Sequence, residues 1–274
     1  MLLASLNIPF DEDLCDTQKY MARIDAEVAA REFDILVLPS QPCRISFWSF
    51  ETRSQTERSA RDLIGWLTDL SARKHALIVC GTWETAKKRG FYRTALAAFE
   101  GRLIARHVKF PDGKAPSRWT PVITHITLIG LPHFAKEVFL VLDDDLSCPL
   151  PLMAVSRSCM SLVSCLPANT ALMNRAYSVA REFGVFTVLS TYRSVEGSES
   201  GGRGSIILTP AGNEIGELTD TSSLLIAEIP DIPAWVATQS RVAHWHAMQH
   251  ENLADRWRHI GKDPLNARSG FYVP

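Results

Sequence analysis

The 274-residue chain reads as an α/β protein, and three observations predict this. Short apolar runs of strand length recur along it, segments with 3.6-residue apolar periodicity stand between them, and 46% of its residues are apolar. Runs without polar alternation are what strands covered on both faces look like, and intervening amphipathic helices are what cover them.

The elements follow in order. MLLASLNI, residues 1–8, is the first strand. From Asp16 to Arg31, Tyr20, Met21, Ile24, Val28 and Ala29 fall on one helical face, and DILVLPS (34–40) is a short apolar strand. A second helix over Thr56 to Lys74 carries Ala60, Leu63, Ile64, Leu67 and Leu70, and HALIVCGTW (75–83) follows as a strand. TALAAFE and GRLIARHVKF flank Glu100-Gly101, which predicts a hairpin turn. Past a proline-containing stretch, EVFLVLDDD (137–145) is a buried strand, a further β run ends at Ser164 to Pro167, and Thr170 to Phe183 is a helix. FTVLSTY, GSIILTP with its turn at 210–212, and SSLLIAEIP complete the strands. Residues 194–205, SVEGSESGGRGS, form a surface loop, with an active-site lid as the functional alternative. From about residue 239 the composition changes, and RVAHWHAMQHENLADRWRHI predicts a helix that packs on the domain or on a partner subunit. The domain division is therefore 1–238 and 239–274.

Charge and cysteine usage limit the function classes. Twenty-nine Lys and Arg nearly cancel thirty Asp and Glu, so no basic field attracts nucleic acid. No basic leader with a long apolar segment opens the chain and no window has the ~18 apolar residues of a membrane span, so a cytoplasmic protein without membrane partners is expected. Cys15, Cys43, Cys80, Cys148, Cys159 and Cys165 lack the close paired spacing of a zinc site or disulfide framework and read as reduced thiols.

Four segments then carry a resemblance. DILVLPS, GRLIARHVKF, FLVLDDDLSCP (139–149) and GRGSIILTPAGNEIGEL followed by LLIAEIP resemble, in order and spacing, the carbon–nitrogen hydrolase superfamily, the nitrilase and amidase group. The resemblance spans residues 1 to about 235 and implies a four-layer α-β-β-α sandwich that pairs as a homodimer or larger assembly. It further implies a Glu-Lys-Cys triad. In that frame Lys109 is the lysine, Ser40 stands where the general-base glutamate belongs, and Asp143 stands at the nucleophile position, with Asp145 and Pro149 fitting the elbow motif.

Those two replacements decide the chemistry. Hydrolysis of an amide or nitrile needs a polarisable nucleophile, a base to deprotonate it and a cation for the developing charge. A carboxylate is a better leaving group than the amine it would displace, and a serine hydroxyl is no base at neutral pH. Loss of a nucleophile costs roughly 10⁶ in turnover. The expected protein is a non-hydrolytic relative that binds a small amide- or carboxylate-type metabolite or serves as a structural or regulatory subunit, with an ion pair between Lys109 and Asp143. Two alternatives stand beside it. Asp143 and Lys109 are redeployed in acyl-transfer, condensation or lyase chemistry, or a relocated thiol, Cys148 or Cys43, attacks in an amidase. Trp83 and Asp144 are the candidate ligand contacts, with Glu84 beside Trp83 at the pocket mouth. No cofactor and no metal is expected: Asp143 and Asp145 have no third ligand, and His246 and His250 lack the glutamate of a zincin helix. His125, His133 and His244 read as structural.

Overall fold

The computed structural model describes residues 1–42, 50–86, 90–109, 127–130, 137–147, 158–166, 170–193, 204–218 and 223–229. The expectations for Cys43, Cys148, His125, His133, the loop 194–203 and the segment 239–274 lie outside those residues. Among them the chain runs β1 (Leu2–Leu6), α1 (Thr17–Val28), β2 (Ile35–Val37), α2 (Phe50–Lys74), β3 (Leu77–Ala86), β4 (Gly90–Phe99) and β5 (Arg102–Val108). It continues through β6 (Leu128–Ile129), β7 (Glu137–Leu142), β8 (Ser158–Ser164), α3 (Thr170–Phe183), β9 (Phe186–Ser190) and β10 (Ile206–Leu208). β11 (Glu214–Ile215), β12 (Glu217–Leu218) and β13 (Leu224–Glu228) follow.

Local chemistry sets the boundaries. Asp16 caps α1, its carboxylate accepting from the N–H groups of Gln18 (2.9 Å) and Lys19 (3.0 Å), which satisfies donors that the first helical turn leaves open. Glu100 and Gly101 both have positive φ (47° and 77°), the type I′ geometry whose twist suits a two-residue hairpin, so the expected turn joins β4 to β5. Three segments differ from expectation. α2 starts at Phe50 instead of Thr56, and an Arg53–Glu57 pair (3.1 Å) spans its first described side chains. β3 and β4 form a hairpin paired from Ile78–Ala98 out to Ala86–Gly90, longer than the apolar runs predict, because cross-strand pairing carries the polar residues of GTWETA and GFYR into the ladder. β7 ends at Leu142, and Asp143–Ser147, the acids expected within the strand, form a 3-10 turn.

The strands make two sheets. One has the order β12-β13-β1-β2-β3-β4-β5 and the other β11-β10-β9-β8-β7-β6. β1, β2 and β3 run parallel in the first, and β7, β8 and β9 run parallel in the second. Between the sheets lies an apolar layer built from Val37, Val79, Ala95 and Ala97 on one side and Val138, Leu140, Leu162 and Val188 on the other. The outer face of the first sheet is covered by α1 and α2 through Tyr20, Ile24, Leu63 and Leu67, and that of the second by α3 through Ala176, Val179 and Ala180. This is the expected α-β-β-α sandwich, with burial on both faces of each sheet.

Serines stitch the sheets where the apolar layer ends. Ser5 donates to the Leu189 carbonyl (3.3 Å) and Ser190 to the Leu6 carbonyl (3.1 Å). Among the described residues no helix is long and apolar enough to cross a membrane.

Leu67 is fully buried in the layer between α2 and the first sheet. Leu67→Ala is expected to remove about 2–5 kcal/mol of unfolding free energy, read as a shift in the denaturant midpoint at unchanged slope.

Candidate functional site

The carboxyl ends of the parallel strands gather at one end of the sandwich, the place where open α/β sheets expose side chains to a ligand. β2 delivers Ser40, β7 delivers Asp143, β8 delivers Ser164 and Cys165, and β9 delivers Ser190. Asp143 is the first residue past β7 and adopts φ 50°, a left-handed conformation that a non-glycine residue rarely takes and that turns its side chain out of the strand direction.

The side chain facing Asp143 comes from the opposite sheet. Arg93 of β4 forms an ion pair with the Asp143 carboxylate, whose other oxygen accepts from the Leu166 N–H at 3.3 Å. Both side chains are close to nine-tenths buried (11% and 10% exposed), so the pair is largely removed from water. The Arg93 guanidinium also lies over the Trp83 ring, 5.6 Å from its centroid, in cation–π geometry. Asp143, expected to pair with Lys109, is thus met by Arg93. The reason is register: Trp83 is paired with Arg93 across β3 and β4, and the Lys109 N–H donates to the Arg93 carbonyl at 2.9 Å. Trp83, Arg93 and Lys109 therefore form one row across three strands, on the side facing the second sheet, and the middle member of that row meets Asp143.

A second tie lies one row deeper. His107, paired with Ala95, points between the sheets and its Nε2 lies 3.0 Å from Oδ2 of Asp145. These side chains are 0% and 3% exposed. The first and third acids of the turn after β7 are each fastened to the first sheet, one by a guanidinium and one by an imidazole. Asp144 lies between them on the same turn.

Ser40 is placed by packing. Its hydroxyl lies 3.2 Å from the Ser164 hydroxyl, which donates to the Leu38 carbonyl (2.7 Å) and accepts from the Gly81 N–H (2.8 Å). Since the single Ser164 proton is committed to Leu38, Ser40 donates to Ser164. Ser40 is 1% exposed, its N–H donates to the Cys165 carbonyl and its own carbonyl accepts from Tyr192 (2.9 Å each). A Cβ on Gly81 would lie 2.0 Å from the Ser40 hydroxyl and 2.8 Å from Leu142, so the absence of a side chain there is what admits Ser40.

Of the described thiols, neither Cys80 nor Cys165 is poised to react. Burial pushes Cys165 up to about 12 while it donates to the Ser190 carbonyl at 3.2 Å, and burial likewise pushes Cys80, which contacts the Tyr20 hydroxyl at 3.2 Å, up to about 12. Glu84 pairs with Arg106 on β5 and, by strand alternation, faces the helices, away from the row of Trp83 and Arg93. Among the described residues no three His, Cys, Asp or Glu side chains converge as a metal-binding group.

The expected residues Ser40, Asp143, Trp83 and Lys109 thus come to the same end of the sandwich, and Arg93, His107 and Ser164 join them without having been singled out. One signal could have found His107: the alternation that puts Lys109 on the inner face puts His107 there too.

Three outcomes test this geometry. Arg93→Ala leaves the Asp143 carboxylate buried without its counter-charge and is expected to cost on the order of 3 kcal/mol in chemical denaturation, while Arg93→Met combined with Asp143→Leu costs much less. Gly81→Ala is expected to destabilise by about 1–3 kcal/mol, since neither Ser40 nor Leu142 has room to retreat. Cys80 and Cys165 have folded-state values raised above those of the unfolded chain, so their contribution is complete below about pH 9 and is lost as pH rises towards about 12. Stability should fall across that window, and Cys80→Ser with Cys165→Ser should flatten the fall.

Neither a family model nor a curated protein sequence matches the chain. Solved structures do. A mutant of the Nesterenkonia AN1 amidase from the nitrilase superfamily matches over 92% of this chain and 97% of its own, at 18% identity and a TM-score of 0.69. Another form of that amidase, with acrylamide added to its active-site cysteine, covers 92% and 99% at 17% identity, TM-score 0.69. Saccharomyces cerevisiae Nit3, a member of branch 10 of the nitrilase superfamily, covers 88% and 94% at 19% identity, also with a TM-score of 0.69. At such identities the likeness is one of fold, and it spans both sheets and their helices: the chain has the carbon–nitrogen hydrolase fold of the nitrilase superfamily.

Proposed function

We propose that this protein is a nitrilase-fold pseudoenzyme, one that holds a small amide- or carboxylate-type ligand, or supports a partner as a structural or regulatory subunit, without hydrolysing C–N bonds. The observation that carries the reading is Asp143: at the turn that follows β7 stands a carboxylate, held by Arg93 and by the Leu166 N–H. A carboxylate so neutralised has neither the nucleophilicity of a thiolate nor, towards an amide, the leaving-group order that lets an acyl intermediate form. Ser40, committed to Ser164, offers no proton acceptor of useful strength. Lys109 remains as the cation of the motif, beside Trp83 and Asp144 as ligand contacts. The 239–274 segment packs on the domain 1–238 or on a second subunit of a homodimer in the cytoplasm, as an extension of the same reading.

The Arg93 contact also weighs against redeployment of Asp143 in acyl-transfer, condensation or lyase chemistry, because a nucleophilic carboxylate would first have to leave its guanidinium. An amidase using Cys43 or Cys148 predicts a thiol that alkylates rapidly at neutral pH.

Turnover of a panel of amides, nitriles and carbamoyl compounds is expected to be absent in the native protein and in Asp143→Cys. Turnover that disappears in Lys109→Ala would overturn the reading. Measurable amidase activity in the double variant Ser40→Glu with Asp143→Cys would show that the pocket survives and that these two positions account for the loss. Mass spectrometry after brief alkylation at pH 7 is expected to find no hyper-reactive cysteine.

A further inference from the structure

Beneath α3, away from the site, the outer face of the second sheet carries two hydroxyls in an otherwise apolar layer. Ser161 of β8 and Thr187 of β9 are partners in the parallel ladder. The same row continues to Phe139 of β7 and Leu208 of β10, which pack with Ala176, Val179 and Ala180 of α3. Both hydroxyl-bearing residues are 0% exposed, and neither hydroxyl has a hydrogen-bond partner among the described residues. Such groups are rare in native structures, since a buried hydroxyl that gives up its water and gains nothing costs more than an ordinary hydrogen bond returns.

We propose that a single buried water molecule bridges Ser161 and Thr187. Adjacent strands lie roughly 4.8 Å apart, too far for hydroxyls on paired residues to bond directly from like rotamers. Two legs of about 2.8 Å through a shared oxygen span that distance. A buried water needs two to four polar partners, and this pair supplies the minimum. α3, which covers this face, carries alanines at 176 and 180, one turn apart, among the residues of the same apolar layer. Complete burial among apolar side chains leaves no path for a larger polar ligand. The bridge also fixes the register of β9 on β8, because a slip of one residue would turn one hydroxyl to the opposite face and leave the other alone.

Thr187→Val keeps the shape of the side chain and removes its hydroxyl, and Ser161→Ala does the same for the other partner. If the water is present, each change lowers Tm, by roughly 2–4 °C, and the double variant falls by less than the sum because both remove the same bridge. Unchanged or raised Tm in Thr187→Val, or strictly additive losses, would overturn the proposal. A crystal structure of the unmodified chain with a water peak within hydrogen-bond distance of both oxygens supports it, and an empty gap there refutes it.

Discussion

The turn that follows β7 is short, acidic and conformationally strained, and it keeps its shape because the opposite sheet answers two of its three carboxylates. Arg93 meets Asp143 and His107 meets Asp145, from neighbouring strands and neighbouring rows. An apolar layer between two sheets tolerates small shifts of one sheet over the other, since its attraction has no direction. Charged and hydrogen-bonded contacts, being directional, do not. These ties set how the carboxyl ends of one sheet stand against the face of the other. They also hold Asp143 in its left-handed conformation, which surrounding structure must over-determine if it is to persist.

Serines do the equivalent work nearer the centre. Ser5, Ser164 and Ser190 each donate to a carbonyl at the end of a strand in the facing sheet. Ser40 belongs to this set by its contacts, because its hydroxyl completes the shell of Ser164 over the bare Cα of Gly81. At this strand end a residue type that cannot ionise is part of the packing. Asp143, at the end of β7, keeps a charge, and a guanidinium stacked on Trp83 meets it.

The layered architecture was legible because its strands are apolar on both faces and its helices have one apolar stripe each. DILVLPS, FLVL and FTVLS read directly as apolar strands, and Glu100-Gly101 reads as a hairpin turn. The β3–β4 hairpin was only half legible, because GTWETA and GFYR are polar enough to pass for loop until their partners are known. Arg93 was hidden for that reason. Its importance depends on being opposite Trp83 and beneath Asp143, two relations set by register and by sheet stacking, and neither leaves a local trace. Lys109 was visible through motif spacing, whereas the identity of the cation that meets Asp143 required the third dimension.

The first sheet carries one more consequence, for how the chain comes to be folded. β1 lies between β2 and β13, and the backbone of Met1 is bonded to that of Ile229, 228 residues away. A ribosome extends the chain at about 5–20 residues per second, so the amino-terminal strand waits for tens of seconds with one edge unclaimed. During that interval it presents an open row of amides to any passing chain, a hazard that a sheet closed by its sequence neighbours would not face. That edge of β1 is therefore completed only once the last described strand has been made.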